Sequence, residues 1–443
     1  MQLGAFLSYG ETVLSIFVTL EPSLRRNLVA MFVAGLCFWA GLAGLLPALP
    51  LYIEQFGANG QQIGLVMASF AIGLLTMRPL MARMTDEQGR KPVLIIGLLA
   101  IAIAPLLYWL VPLMPSITWE ISLVGHRWLI QSPIVLMMVF RAFHGLSIAS
   151  FVTAYSALVA DLAPPNQRGE LIGYMSLVNP IGMALGPALG GYLQAGSGFT
   201  HVFVLMAMLG MIGVGCAITI TEPKREVVNV RRKAAFWSLL WMPAVRIPAV
   251  MLLLVGLAFG GLATFVPLYA RESNFALNIG LIYTASALAS FGIRLLVGRA
   301  SDRYCRGPFI TLGLMFYTVS MIALWLAHSE SAVLLAAAVQ GMGGGMLIPM
   351  VAALMADRST SADRGLMFGL CLTGFDVGIA LAGPVMGQVA DLTSYRDIFG
   401  VAAAMTLLGL VIFITTSSKD IAPSVPFALK GGKDVYAVPH STL

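Results

Sequence analysis

Charge is what this sequence has least of. Only 10% of the 443 residues are charged, against about 25% in an ordinary soluble domain. So few charges cannot cover a water-facing surface, and a mean hydropathy of +0.88 leaves apolar surface that only lipid can solvate. Cysteine is scarce too: Cys37, Cys216, Cys305 and Cys371 form no Cys-x-x-Cys or Cys/His cluster. Neither a disulfide framework nor a metal site follows, and no cofactor is implied. A nucleotide loop is also lacking, because Gly341–Gly345 falls inside an apolar run with no lysine and no preceding strand. The net charge of +6 is spread over many short loops, which argues against a nucleic-acid surface. Residues 1–20 hold no Lys or Arg and are interrupted by Glu11, so they suit an interfacial helix or loose tail better than a secretory signal.

Long apolar runs are what the chain has in abundance. Twelve are of a length to cross a bilayer, at 27–52, 62–83, 92–113, 132–160, 169–192, 201–221, 248–270, 278–298, 308–328, 331–356, 366–390 and 395–416, numbered here as spans 1 to 12. Continuous helices satisfy every backbone group in lipid, so the fold class is an all-α membrane protein. An even span number puts both termini on one side. The tails and the even-to-odd loops hold 20 of the 26 Lys and Arg, whereas the opposite loops hold Arg127, Arg271 and Arg396. That bias predicts cytoplasmic termini. The expected segments are an N-terminal cytoplasmic or interfacial piece (1–26), a six-helix bundle (27–221), a basic linker (222–247), a second six-helix bundle (248–416) and a disordered cytoplasmic tail (417–443).

The two halves are related by an internal repeat. Arg78, Arg83 and Asp86 recur as Arg294, Arg299 and Asp302, each 216 residues on. Beyond span 3 the offset falls to 196: Gly145 matches Gly341, and Gly173 and Gly182 match Gly369 and Gly378. The outer loop at 114–131 is about the right size for the lost twenty residues. A duplicated bundle of this kind places a substrate path at the interface between its halves, near the bilayer midplane.

These motifs closely resemble those of the major facilitator superfamily, over nearly the whole chain. The loop after span 2 reads Ala82-Arg83-Met84-Thr85-Asp86-Glu87-Gln88-Gly89-Arg90-Lys91, keeping the family's Asp86, Gly89, Arg90 and Lys91. Its second copy keeps Gly298, Asp302 and Arg303, with Cys305 at the loop-glycine place. Span 4 carries Arg141, His144 and Gly145 in the family's R-x-x-q-G pattern. Span 5 carries Gly173, Gly182, Gly186, Pro187 and Gly190, a pattern that the superfamily associates with exporters exchanging substrate for protons. The resemblance implies twelve transmembrane helices in two pseudo-symmetric six-helix bundles and secondary transport by alternating access. It further implies a multi-pass protein of the inner or plasma membrane that acts as a monomer on a small-molecule substrate, with protons as the coupling ion. Proton-coupled export of an amphipathic or drug-like molecule is the activity expected. The alternative is a facilitator or proton-coupled importer of a polar nutrient, and a non-transporting membrane sensor is more remote.

Named residues take expected roles on this reading. Asp86, Gly89 and Arg90, with Gly298, Asp302 and Arg303, are the gating residues: Asp86 should approach the start of span 11 near Gly365, and Asp302 the start of span 5 near Gly169. Arg141, deep in span 4, should bias a nearby carboxylate in proton coupling, with His144 one turn along the same face. Asp376 is the one clear carboxylate well inside a span and the best candidate for the proton-binding group. Arg78 and Arg294, a turn inside the ends of spans 2 and 8, are expected to snorkel to the interface. Span 1 has no acidic residue before Glu54, unlike several drug–proton exchangers of the superfamily.

Overall fold

The computed structural model describes residues 20–123, 126–164, 167–223, 241–359 and 364–438; the side chains of 119–130, 168–170, 295, 298–304 and 364–366 lie outside that description. Eleven helices are long and apolar enough to span a membrane, and a twelfth, Ile279–Tyr304, carries a shorter apolar stretch at Ile279–Arg294. All twelve spans are therefore present. Side chains such as Val139, Met208, Leu296, Leu335 and Leu408 point outward from them, as lipid requires.

Several boundaries differ from expectation for local reasons. Span 1 starts at Pro22, which suits a first helical turn, so Arg25 and Arg26 lie within the helix. It stops at Ala43, where Gly44 and Pro47 leave only tight three-residue turns, and resumes as Leu49–Glu54. Span 5 breaks between Arg168–Ser176 and Val178–Ser197, next to Pro180. Span 7 runs Pro243–Glu272, five residues earlier than its apolar run suggests. The insertion after span 3 is an antiparallel hairpin, β1 (Thr118–Leu123) with β2 (His126–Gln131), the one sheet among the described residues.

The expectation of a disordered tail is corrected. Residues 421–430 form a helix whose Phe427 and Ala428 are buried, and the chain beyond it continues along the bundle. Thr311 donates to the Ala428 carbonyl, and Val438 N–H to that of Asp357. Arg358, its side chain fully buried, grips the Asp434 carboxylate through Nε (2.6 Å) and Nη2 (3.1 Å), and also donates to the Ala244 and Ser417 carbonyls. A polar, Pro- and Gly-containing sequence hides this order because one ion pair and two apolar side chains create it.

The described ends of the chain share one face of the bundle with the loops after spans 2, 4, 8 and 10; it is called the terminal face, and the opposite one the far face. The core shows how these faces differ. At the far face a single apolar cluster includes residues of both bundles, among them Tyr52, Ile63 and Phe203 with Phe265, Tyr269 and Phe399. Toward the terminal face the core splits, one cluster inside each bundle. Among the described residues the bundles thus share one apolar core at the far face and have separate ones toward the terminal face.

Candidate functional site

The groups able to carry transport chemistry lie where the bundles meet. Two helix crossings close the far face, and they are pseudo-symmetric. Span 2 crosses span 11 with Gly64 against Gly383, so tightly that a Cβ on either would overlap the other's carbonyl. Span 8 crosses span 5 with Gly280 against Pro187, where a Cβ on Gly280 would overlap the Pro187 carbonyl. Small residues permit this approach, which van der Waals contact then stabilises. Polar contacts reinforce it. Asp391 at the end of span 11 accepts from the Gly60 and Gln61 N–H groups (2.7 and 3.0 Å), a carboxylate on the positive end of span 2. Glu54 pairs with Arg271 across the same face.

Further in, the crossings open. Arg78 of span 2 does not snorkel to the interface. Its Nη1 reaches across to Asp376 Oδ2 of span 11 at 2.5 Å, joining the two bundles. Asp376 is nearly buried at 13% exposure, whereas Arg78 keeps 36% on the open side. A carboxylate at this depth is stabilised as an ion only by such a partner. Nearer the terminal face, Gly173, Gly292 and Gly369 have room for a Cβ with nothing within 4 Å.

Arg141 and His144 form a second polar cluster, inside the first bundle. Arg141 is 5% exposed, with its guanidinium 4.5 Å from the Phe70 ring centre, a cation–π arrangement. Its Nη1 lies 3.1 Å from His144 Nδ1, as does the Tyr108 hydroxyl. A guanidinium can only donate, so Nδ1 accepts and the His144 proton sits on Nε2, which is buried without a partner. Among the described residues no carboxylate pairs with Arg141, and the cluster is not joined to Asp376. His144 thus presents Nδ1 as an acceptor to Arg141 and carries its proton on Nε2.

The expected gates stand as follows. Asp86 is 79% exposed and pairs with Arg90 Nη1 at 3.0 Å. Arg90 in turn binds Asp161 at the end of span 4 (3.2 Å). Gly89 supplies the turn before span 3 with φ of +110°, open to glycine and strained for other residues. Above it Glu222, a residue that motif reading missed, accepts from the Arg90 and Lys91 N–H groups (2.7 and 3.0 Å). The side chains of Asp302 and Arg303 and the surroundings of Gly298 and Gly169 lie outside the description, so the second gate has no described partner.

Most of the glycines of the span 5 motif face span 1. A Cβ at Gly182 would press on Trp39 and Ala40, one at Gly186 on Ala40 and Gly44, and one at Gly190 on Gly44. Pro187 faces the opposite way, to span 8, and Gly173 faces open space. Span 5 is therefore locked to its own bundle on one side and carries the inter-bundle crossing on the other. Sequence reasoning also missed Tyr108, Arg358, Asp391 and the pairing of Arg78 with Asp376. The heptad spacing of Gly64 and Arg78 was the available sign of that last pairing.

A twelve-span protein in two repeated bundles, closed on one face with charged groups at the seam, has the architecture of a secondary transporter. The family model of the Major Facilitator Superfamily matches residues 31–323 and 274–432, and the chain belongs to that family. Among curated proteins it is similar to the multidrug resistance protein MdtG of Salmonella paratyphi A, with 26% identity over 87% of this chain and 94% of that one. It is similar also to the quinolone resistance protein NorA of Staphylococcus aureus, with 22% identity over 88% and 96%. Among solved structures, a D-xylose–proton symporter has a TM-score of 0.71 at 15% identity, covering 93% of this chain and 99% of that one. The protein is a multi-pass membrane transporter.

Proposed function

We propose that this transporter works by alternating access and exports an amphipathic or drug-like small molecule in exchange for protons. Asp376 is the proton-binding group. The observation that carries this reading is the Arg78–Asp376 pair, a nearly buried carboxylate held by a cation of the opposite bundle. Protonation of Asp376 removes that bond between the bundles, which links proton binding to their relative position. The drug-resistance names of the relatives MdtG and NorA and the span 5 pattern support the export direction. The nutrient-importer alternative has only fold-level support, from the xylose symporter.

Positive charge at the terminal face supports a cytoplasmic assignment for that face in the plasma membrane, with 1–26, 27–221, 222–247, 248–416 and 417–443 as the working segments. Asp86, Gly89 and Arg90, with Gly298, Asp302 and Arg303, then close the cytoplasmic side in the alternate state. Arg141 sets the electrostatic field of the first bundle, and the chain acts as a monomer.

Proteoliposomes test this. An imposed proton gradient should drive ethidium accumulation, an ionophore should abolish it, and Asp376→Asn should bind ethidium without accumulating it. Accumulation indifferent to the gradient, or a fully coupled Asp376→Asn, overturns the reading.

A further inference from the structure

The two far-face crossings fix a register that can be followed toward the terminal face. Fourteen residues is almost four helical turns and returns to the same side of a helix. Starting from Gly64 opposite Gly383, that step brings Arg78 opposite Gly369. Starting from Gly280 opposite Pro187, the same count reaches Arg294 and Gly173, the latter just across the break in span 5. Both arginines thus come to face a glycine, and in this structure both glycines have empty space before them.

Asp376 lies between the two positions on span 11, seven residues from Gly369 and seven from Gly383, again on the same side. The register places Ala71, not Arg78, opposite it. The Arg78 backbone stands seven residues, about 10 Å, nearer the terminal face. Its side chain bridges that gap by leaning toward the start of its helix, the direction in which helical side chains tilt.

We propose that Arg78 is a positioning residue with two seats. With the terminal face open it holds Asp376; when that face closes it leaves Asp376 and settles against Gly369, as Arg294 settles against Gly173. The exchange rests on the reading of Asp376 as the proton group and deepens it. Once Arg78 has moved, the buried Asp376 carboxylate has no cation and must take a proton. Among the described residues no other group is placed to replace Arg78. Span 11 packs on spans 2, 7, 10 and 12. Besides Arg78, their described ionisable residues stand near the helix ends: Arg83, Asp86 and Glu87; Arg246, Tyr269, Arg271 and Glu272; Glu330, Asp357 and Arg358; and Asp397. The second half lacks the switch, because the position equivalent to Asp376 is Pro180. Arg294, with a buried and unpartnered Nε, has a glycine to dock on but no carboxylate to leave.

Distance measurements on the full chain in lipid nanodiscs test the exchange without any substrate. Spin labels on keto amino acids at Gln88 and Lys430, both exposed and one on each bundle at the terminal face, report its closure. In the wild type, acidification should shift the distribution from long to short. Gly369→Leu should stay long at every pH although Arg78 and Asp376 are intact, and Gly369→Ala should shift the same way by less, which covers a poorly folded leucine variant. Arg78→Gln should be short already at neutral pH, and Arg78→Lys should restore the pH response. If Gly369→Leu and Gly369→Ala close as the wild type does, or Arg78→Gln titrates as the wild type does, the two-seat exchange is wrong. An Asp376→Asn variant that still responds to pH like the wild type would instead remove the proton-site reading beneath it.

Discussion

Tyr52 in the first bundle donates to the Tyr108 carbonyl (2.9 Å), and its counterpart Tyr269 donates to the carbonyls of Leu324 (3.4 Å) and Ala327 (3.0 Å). Arg90 binds Asp161 at 3.2 Å in the first bundle; Arg306 binds Asp357 at 3.3 Å in the second. Gly145 packs on the Phe70 carbonyl as Gly341 packs on that of Ser286. The repeat thus persists to individual hydrogen bonds, and against that background the differences stand out. Where the first bundle has Arg141, His144 and Phe70, the second has Ala337, Gln340 and Ser286. There Gln340 is fully served, accepting from Ser286 (2.6 Å) and donating to Tyr317 (2.8 Å). Where span 3 begins under Glu222, span 9 begins under the C-terminal helix, with Gly307 against the Phe427 carbonyl. One scaffold has been kept twice, while its buried charges are placed differently: Arg141 inside the first bundle, Arg358 with Asp434 at the end of the second, and Arg78 with Asp376 at the seam.

Substitutions at the two crossings should have the largest effect. Gly64→Leu should push spans 2 and 11 apart, since overpacking of even ordinary cores costs about 1–3 kcal/mol, and transport should be lost. Gly280→Leu should do the same at spans 8 and 5. Equal loss in flux assays supports two equivalent crossings; loss in one alone would show that the symmetry is only architectural. Next in size is the tail. Asp434→Asn strands the buried Arg358 and should destabilise the protein by about 3–5 kcal/mol, seen as a lower melting temperature and easy proteolysis of the tail. The pair of Arg90 (14% exposed) with Asp161 (36% exposed) is the control: Asp161→Asn should cost less, about 1 kcal/mol.

Arg141→Ala gives the first bundle the residue of the second. Removing the cation relieves a buried charge rather than opening the core, so folding should survive. The field of the first bundle is lost, and gradient-driven accumulation should fall well below that of wild type. His144→Gln, the parallel exchange, should change transport and melting least of all. A glutamine can accept from Arg141 as the imidazole does, and a neutral acceptor is all that the geometry asks for. A large loss of coupling in His144→Gln would reinstate the histidine as a proton carrier.

The parts legible in the sequence were those written in long runs or fixed spacing. Span number, the repeat and the packing role of Gly341–Gly345 all follow from apolar length and periodicity. Contacts between distant elements were not legible. Arg78 has the composition of a snorkelling residue, and only the crossing of span 2 on span 11 brings it to Asp376, 298 residues away. Arg358 counted as one more topogenic charge until the tail folded over it. Helix ends were misjudged where a proline or glycine acted on the backbone without changing hydropathy, as at Pro22, Gly44 and Pro243. For the gates, Asp86 stands in the last turn of span 2 rather than in the loop, and its described partner is Arg90.

Proton release on substrate binding probes exchange at Asp376 itself. Ethidium added to the purified wild-type transporter in weak buffer should release protons in proportion to the ethidium bound, and Asp376→Asn should bind with no release. Equal release from both proteins, or binding by the wild type with none, would contradict proton exchange at Asp376.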